Sequence, residues 1–182
     1  AFAVANPGYG PSELIPREPF EMPPKPALWS YSFALNAFAN NDLITIAESQ
    51  GSAAAHVYDT VQNALLGLET YYAPPKPDTV VVWVSPGTKW SCGACTARSP
   101  LEVAGQIFLH QAWLDGSNEN QGYWSDAVTA HELGHYAMAA YGFPPAESGG
   151  HELAVATNPG QAWSEGWATF FSSMQRGNSK YY

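Results

Sequence analysis

Apolar positions recur along this chain with two different periods, and the period changes from segment to segment. In "SAAAHVYDTVQNALLGLETYY", Val57, Val61, Ala64, Leu65 and Leu68 are spaced by three and four. That spacing gives one apolar face on a helix over 52–72. "TVVVWVS", residues 79–85, is a run of β-branched and aromatic residues closed by Pro86-Gly87, which predicts a buried strand. "GQIFLHQAWL" alternates enough to predict a second strand from Gln106 to Leu114. "LWSYSFALNAF" and "DLITIAES" predict short strands ahead of the first helix. Two further helices follow. One begins at the N-cap Ser125, has Asp126 placed for the helix dipole, and ends by Gly142, before Pro144-Pro145. The other begins around Asn158 with Pro159 in its first turn and ends before Gly177. The mixture predicts an α+β chain with no internal repeat.

Residues 1–27 break both rhythms. "NPGYGPSELIPREPFEMPPKP" is proline-rich, and proline stops helices and sheet ladders, so an arm or pro-segment is expected there and a folded domain over 28–182. Glu13, Glu18 and Glu21 are the carboxylates such a segment would carry to a metal. The opening "AFAVANPG" reads as what a removed leader leaves behind.

Composition narrows the classes. A hydrophobic share of 46% with 7 Trp, 10 Tyr and 8 Phe gives a globular core. A formal charge of −9 would be repelled by a phosphate backbone, which argues against nucleic acid, and no basic patch is present to hold an anionic membrane. No apolar run reaches the roughly 18 residues of a membrane span. Only 13% of residues are charged, a balance common outside cells. The two cysteines, Cys92 and Cys95, form "CGAC" among glycines and serine. That context favours a local disulfide over a redox or zinc motif, and with it a secreted or extracytoplasmic protein. In "DGSNENQGY", Asp115, Asn118, Glu119 and Asn120 have calcium-type side chains, but the glycine is misplaced for an EF-hand, and a solvated loop is the simpler reading.

Chemistry concentrates in "SDAVTAHELGHYAM". His131 and His135 lie four apart, so on a helix both imidazoles reach one ion. Glu132 is rotated about 100° from His131, beside such an ion without binding it. A carboxylate there can take a proton from metal-acidified water and return it to a leaving amine. This is the HExxH pattern of zinc peptidases. Gly134 within that helix costs about 1 kcal/mol relative to alanine, which makes sense if another backbone or a substrate comes close.

A catalytic zinc takes three protein ligands and one open position. Within "NPGQAWSEGWATFFSSMQRG", Trp163, Trp167, Phe170, Phe171 and Met174 form an apolar stripe expected to face the core. Glu165 lies off that stripe with Ala168, Thr169 and Ser172, small residues that let a second helix pack against the carboxylate. Glu165 is therefore the expected third ligand. His151 and Glu152, in a glycine-flanked loop, are its rivals, while "YAMAAYG" after His135 excludes the spacing that would supply a third histidine. His56 near the start of the first helix reads as structural.

HExxH followed at a distance by "WSEGWATFF" resembles the gluzincin metallopeptidases, the group that contains thermolysin, and its small secreted bacterial members. The resemblance spans about residues 54–176 and rests on these two motifs. It implies a zincin-like fold: a small twisted sheet, a backing helix, an active-site helix and a glutamate helix. It implies that His131, His135 and Glu165 hold zinc, that Glu132 is general base and acid, and that the substrate is a peptide or protein. It also implies an edge strand above the cleft that pairs with an extended substrate, for which "QIFLHQAWL" is the candidate. Two features depart from the pattern. Thr169 stands where such enzymes carry an aspartate that steadies a zinc histidine. The tyrosine or histidine that stabilises the oxyanion is not assigned by the motifs, and Tyr136, Tyr141, His151, Tyr181 and Tyr182 are candidates. The abrupt stop after the glutamate helix suits a minimal domain or a fragment. The leading expectation is a secreted zinc endopeptidase. The alternatives are a non-catalytic module whose zinc is closed by a fourth ligand such as His151, and an aromatic-rich surface- or glycan-binding domain.

Overall fold

A computed structural model describes residues 2–9, 15–21, 23–32, 44–71, 78–147, 149–151 and 155–180. They form a mixed α+β architecture. The strands are β1 (Phe2–Asn6), β2 (Ala27–Leu28), β3 (Val80–Trp83), β4 (Cys95–Ala97), β5 (Leu101–Val103), β6 (Gln106–Phe108) and β7 (His110–Trp113). The helices are α1 (Ser52–Tyr71), α2 (Asp126–Tyr141) and α3 (Pro159–Arg176). One sheet has the order β2-β1-β3-β7-β4, and β5 and β6 form a separate hairpin. β1, β3 and β7 run parallel; β2 and β4 are antiparallel edges.

Every residue of β3 and β7 is buried, as expected for central strands covered on both faces. The pleat divides β3 between two cores. Val80, Val82 and Val84 pack with Val57, Val61, Leu68, Leu133, Tyr136 and Phe171 under the helices. Val81 and Trp83 pack with Trp90, Val103, Phe108 and Trp113 on the opposite face. Predicted helix 52–72 is α1, which lies behind the sheet. The predicted starts and stops of α2 and α3 are also found, because their caps are local. Ser125 Oγ accepts from Val128 N, Asn158 Oδ1 accepts from Gln161 N, and Gly177 takes the left-handed conformation with φ of 58°. His56 is structural: its Nε2 lies 3.1 Å from Asp126 Oδ1 and joins α1 to the first turn of α2.

The structure corrects several expectations. Gln106–Leu114 is not one strand but β6 and β7, in different sheets. Thr79 makes the break: its carbonyl accepts from both Leu109 N and His110 N, and its hydroxyl donates to Ile107 O. "DLITIAES" holds no strand among its described residues, and Glu48–Gln50 is a 3-10 turn. From "LWSYSFALNAF" only Leu28 belongs to a strand among the described residues, and 33–38 lie outside them. Phe2–Asn6, expected in a free arm, pairs with β3, with Val4 and Ala5 buried. Farther along, Arg17 N donates to Lys89 O, Ser91 N donates to Arg17 O, and Glu18 Oε2 accepts from Ser91 Oγ. Glu18 is thus engaged by the loop before β4, and neither it nor Glu21 joins a metal-ligand group. Glu13 lies outside the described residues.

The α3 stripe is also corrected. Phe171 is buried, but Trp163 is 64% exposed and Phe170 57% exposed, and Met174 is exposed too. The buried side of α3 is Gln161, Ala168, Phe171 and Ser172. Close approach to α2 selects the small-residue face, with Phe171 buried and Trp167 packed against the core, while Trp163, Phe170 and Met174 are turned outward.

Candidate metal centre

Two helices build the centre. α2 is buried on nearly every side, and α3 lies so close that a Cβ added to Gly134 would sit 2.7 Å from Ala168 Cα. Two hydrogen bonds fix the crossing: Trp167 Nε1 to Gly134 O at 3.0 Å and Ser172 Oγ to Ala127 O at 2.9 Å. The glycine therefore serves the helix–helix approach that its position in the motif suggested.

At this crossing the three expected ligands meet. His131 Nε2 is 3.0 Å from Glu165 Oε2, His135 Nε2 is 3.4 Å from Glu165 Oε1, and the two Nε2 atoms are 3.2 Å apart. A tetrahedral cation with bonds of about 2.05 Å holds its donors about 3.3 Å apart. The donor set and its spacing fit a metal ion, and this is the one such group among the described residues. Both imidazoles are oriented from behind. His131 Nδ1 is 3.3 Å from Thr169 Oγ1, and His135 Nδ1 is 3.1 Å from Ser164 Oγ. Hydroxyls thus hold the outer nitrogens, Thr169 that of His131 and Ser164 that of His135. Thr169→Val should weaken metal binding by about 10- to 100-fold, measured by competition against a chromophoric chelator.

Without a metal, protons link the cluster. Burial works against the Glu165 carboxylate, yet hydrogen bonds from His131 and His135 outweigh it and hold Glu165 well below the usual carboxylate range. Burial also works against the His135 imidazolium, but the Glu165 hydrogen bond and the charges of Glu132 and Glu165 outweigh it, so its pKa is raised. A metal must displace that proton. Below the raised His135 pKa the imidazole is protonated, so affinity falls as pH falls, by about tenfold per pH unit for one proton. Titrations of metal against chelator at neutral and mildly acidic pH check the slope.

Glu132 is beside the cluster and outside it. It is 5% exposed, and burial raises its pKa, partly offset by the charges of His131 and His135. Its Oε2 accepts from Thr96 Oγ1 at 2.7 Å. Thr96 is on β4, so the sheet edge above α2 is Cys95–Ala97. "QIFLHQAWL" does not fill that place: β7 lies between β3 and β4, and β6 belongs to the hairpin. The cysteines form the expected disulfide, Cys92–Cys95, at the start of this edge.

The remaining candidates divide by location. His151 reaches the centre, half-exposed, with Nε2 3.2 Å from Glu165 Oε2. Buried Gln161 ties down its loop, with Nε2 bonded to Gly149 O and 3.5 Å from His151 Nδ1. Tyr136 is buried away from the cluster, donating to Asp78 O at 2.6 Å, and burial raises its pKa and that of Tyr141 beside it. Glu152, Tyr181 and Tyr182 lie outside the described residues. In the loop with calcium-type residues, Asp115 Oδ1 caps Ser117 N within the turn, and Glu119 pairs with Lys89 at the surface. Sequence reading missed Ser164 and Thr96. Ser164 adjoins Glu165 and was within reach of helical geometry; Thr96 depends on sheet register and carried no local signal.

No helix among the described residues is long and apolar enough to cross a membrane. No family model, curated protein or solved structure matches this chain.

Proposed function

We propose that this protein is a secreted, gluzincin-type zinc peptidase that cleaves peptide bonds within extended chains. The observation that carries the reading is the convergence of His131 Nε2, His135 Nε2 and the Glu165 carboxylate within 3.4 Å of one another, with Glu132 buried next to them and held off by Thr96. Two imidazoles, one carboxylate and tetrahedral spacing suit zinc. Bound zinc, held by His131, His135 and Glu165, would supply Lewis acidity toward water and the substrate carbonyl. The Glu132 carboxylate would accept a proton from water and pass it to the leaving amine. His151, at the exposed rim, is the group we assign to the developing oxyanion. The outer edge of β4 offers backbone N–H and C=O groups to an extended peptide. A sheet with α1 behind it, α2 bearing the histidines and α3 bearing the glutamate suits a zincin-like arrangement. The disulfide is compatible with an oxidising compartment and supports the assignment to secretion.

The contact of His151 with Glu165 also favours a second reading, in which His151 closes the metal as a fourth ligand and the site is structural. The deciding experiment is digestion of a mixed peptide library by the zinc-loaded protein, with and without chelator, alongside His151→Ala. Chelator-sensitive cleavage supports the peptidase. Absence of cleavage together with metal lost from His151→Ala overturns it in favour of the closed site.

A further inference from the structure

Resting on the peptidase reading, we infer that Thr96 is a positioning residue that fixes the Glu132 carboxylate from the sheet edge. Strand alternation sets its direction. Cys95 and Ala97 pack into the core on the far side of the sheet, so Thr96 points to the helical side, as does its cross-strand partner Ala112. There its single hydroxyl proton faces two acceptors of one residue, Glu132 Oε2 at 2.7 Å and Glu132 O at 3.1 Å. Among the described residues, Thr96 is the hydrogen-bond donor found for that buried carboxylate. Two restraints hold the hydroxyl in place. The Cys92–Cys95 disulfide ties down the backbone just before it, and the ladder to β7 runs across it. A buried carboxylate with free rotation would sample several orientations; one donor on a restrained strand selects the orientation beside the cation ligands. The strand whose outer side would receive the substrate is thus the strand that aims the base.

The test compares Thr96→Val with Thr96→Ser in the zinc-loaded full chain. Valine keeps the β-branched shape and removes the donor; serine keeps the donor. The expected result is a kcat about 10- to 100-fold lower in Thr96→Val, with KM and zinc content unchanged, and recovery of most of kcat in Thr96→Ser. A wild-type kcat in Thr96→Val overturns the inference, and so does a serine variant as slow as the valine variant, since methyl packing would then be the cause. Melting temperatures of the metal-free single and double variants give a readout independent of catalysis. Thr96→Val should lower the melting temperature of the wild type by more than that of Glu132→Ala, in which only the residue-132 carbonyl is left to accept from Thr96. If the wild type hydrolyses nothing, the peptidase reading falls and this cycle alone decides the contact; additive shifts overturn it.

Discussion

Glu132→Gln, loaded with zinc, is expected to lose about 100- to 10,000-fold in kcat while keeping its metal. The amide matches the carboxylate in shape, so the Thr96 hydroxyl still has an oxygen to bond, but it cannot accept the water proton. Glu132 is not among the cation ligands, so zinc content should match the wild type. Stability should move oppositely to activity. Burial raises the Glu132 pKa in the fold, so ionising this carboxylate disfavours folding relative to the exposed carboxylate of the unfolded chain. That cost vanishes below the unfolded pKa and grows as pH rises through the raised folded value. The glutamine variant carries no such charge, so without metal its melting temperature at neutral pH should equal or exceed that of the wild type. Steady-state kinetics, metal analysis and calorimetry together check the three parts. A variant that retains activity removes Glu132 from the chemistry.

Gly134→Ala is expected to damage the metal centre without touching a ligand. In an isolated helix, alanine would gain about 1 kcal/mol over glycine. Here the new methyl would meet Ala168 Cα at 2.7 Å and Ala168 O at 3.1 Å, and neither atom can rotate away. Restoring ordinary contact requires the helices to part by about 0.7 Å, and overpacking of this kind costs about 1–3 kcal/mol. The clash outweighs the propensity gain. Metal–ligand distances tolerate only about 0.2 Å, so α3 should carry Glu165 out of range of one imidazole. Metal affinity should fall by about 10- to 100-fold, the scale seen when ligand support is removed. Gly166→Ala is the control on the same helix pair: a Cβ there meets nothing within 4 Å, so it should stabilise α3 and raise the melting temperature by about 2–4 °C. Thermal melts and chelator competition on the two variants separate clash from propensity.

How much of the molecule was legible from the chain follows the range of each signal. The extents of α2 and α3 were legible because Ser125, Asn158, Pro159 and Gly177 act within one turn. The ligand pair His131 and His135 was legible for the same reason, and the side of α3 that bears Glu165 showed in its small neighbours. The segment Gln106–Leu114 was misread because alternation cannot reveal a kink made by Thr79, which is remote in sequence. The exposed stripe of Trp163 and Phe170 was misread because residue size shows which faces are apolar, not which face a partner helix takes. The proline-rich opening concealed β1, whose partners in β3 lie 78 residues farther along the chain.

By itself the sequence determined the short-range matters: three helices, a buried strand, a local disulfide and a set of side chains chemically able to hold a cation. Only the tertiary structure decided that Glu165 meets both imidazoles, that β4 is the edge, and that Thr96, Ser164 and Thr169 orient the groups around the centre. The physical reason is distance along the chain. Helix caps and periodicity are written in neighbouring residues, whereas strand order and helix crossing are chosen by the packing of surfaces that meet only once the whole chain is folded.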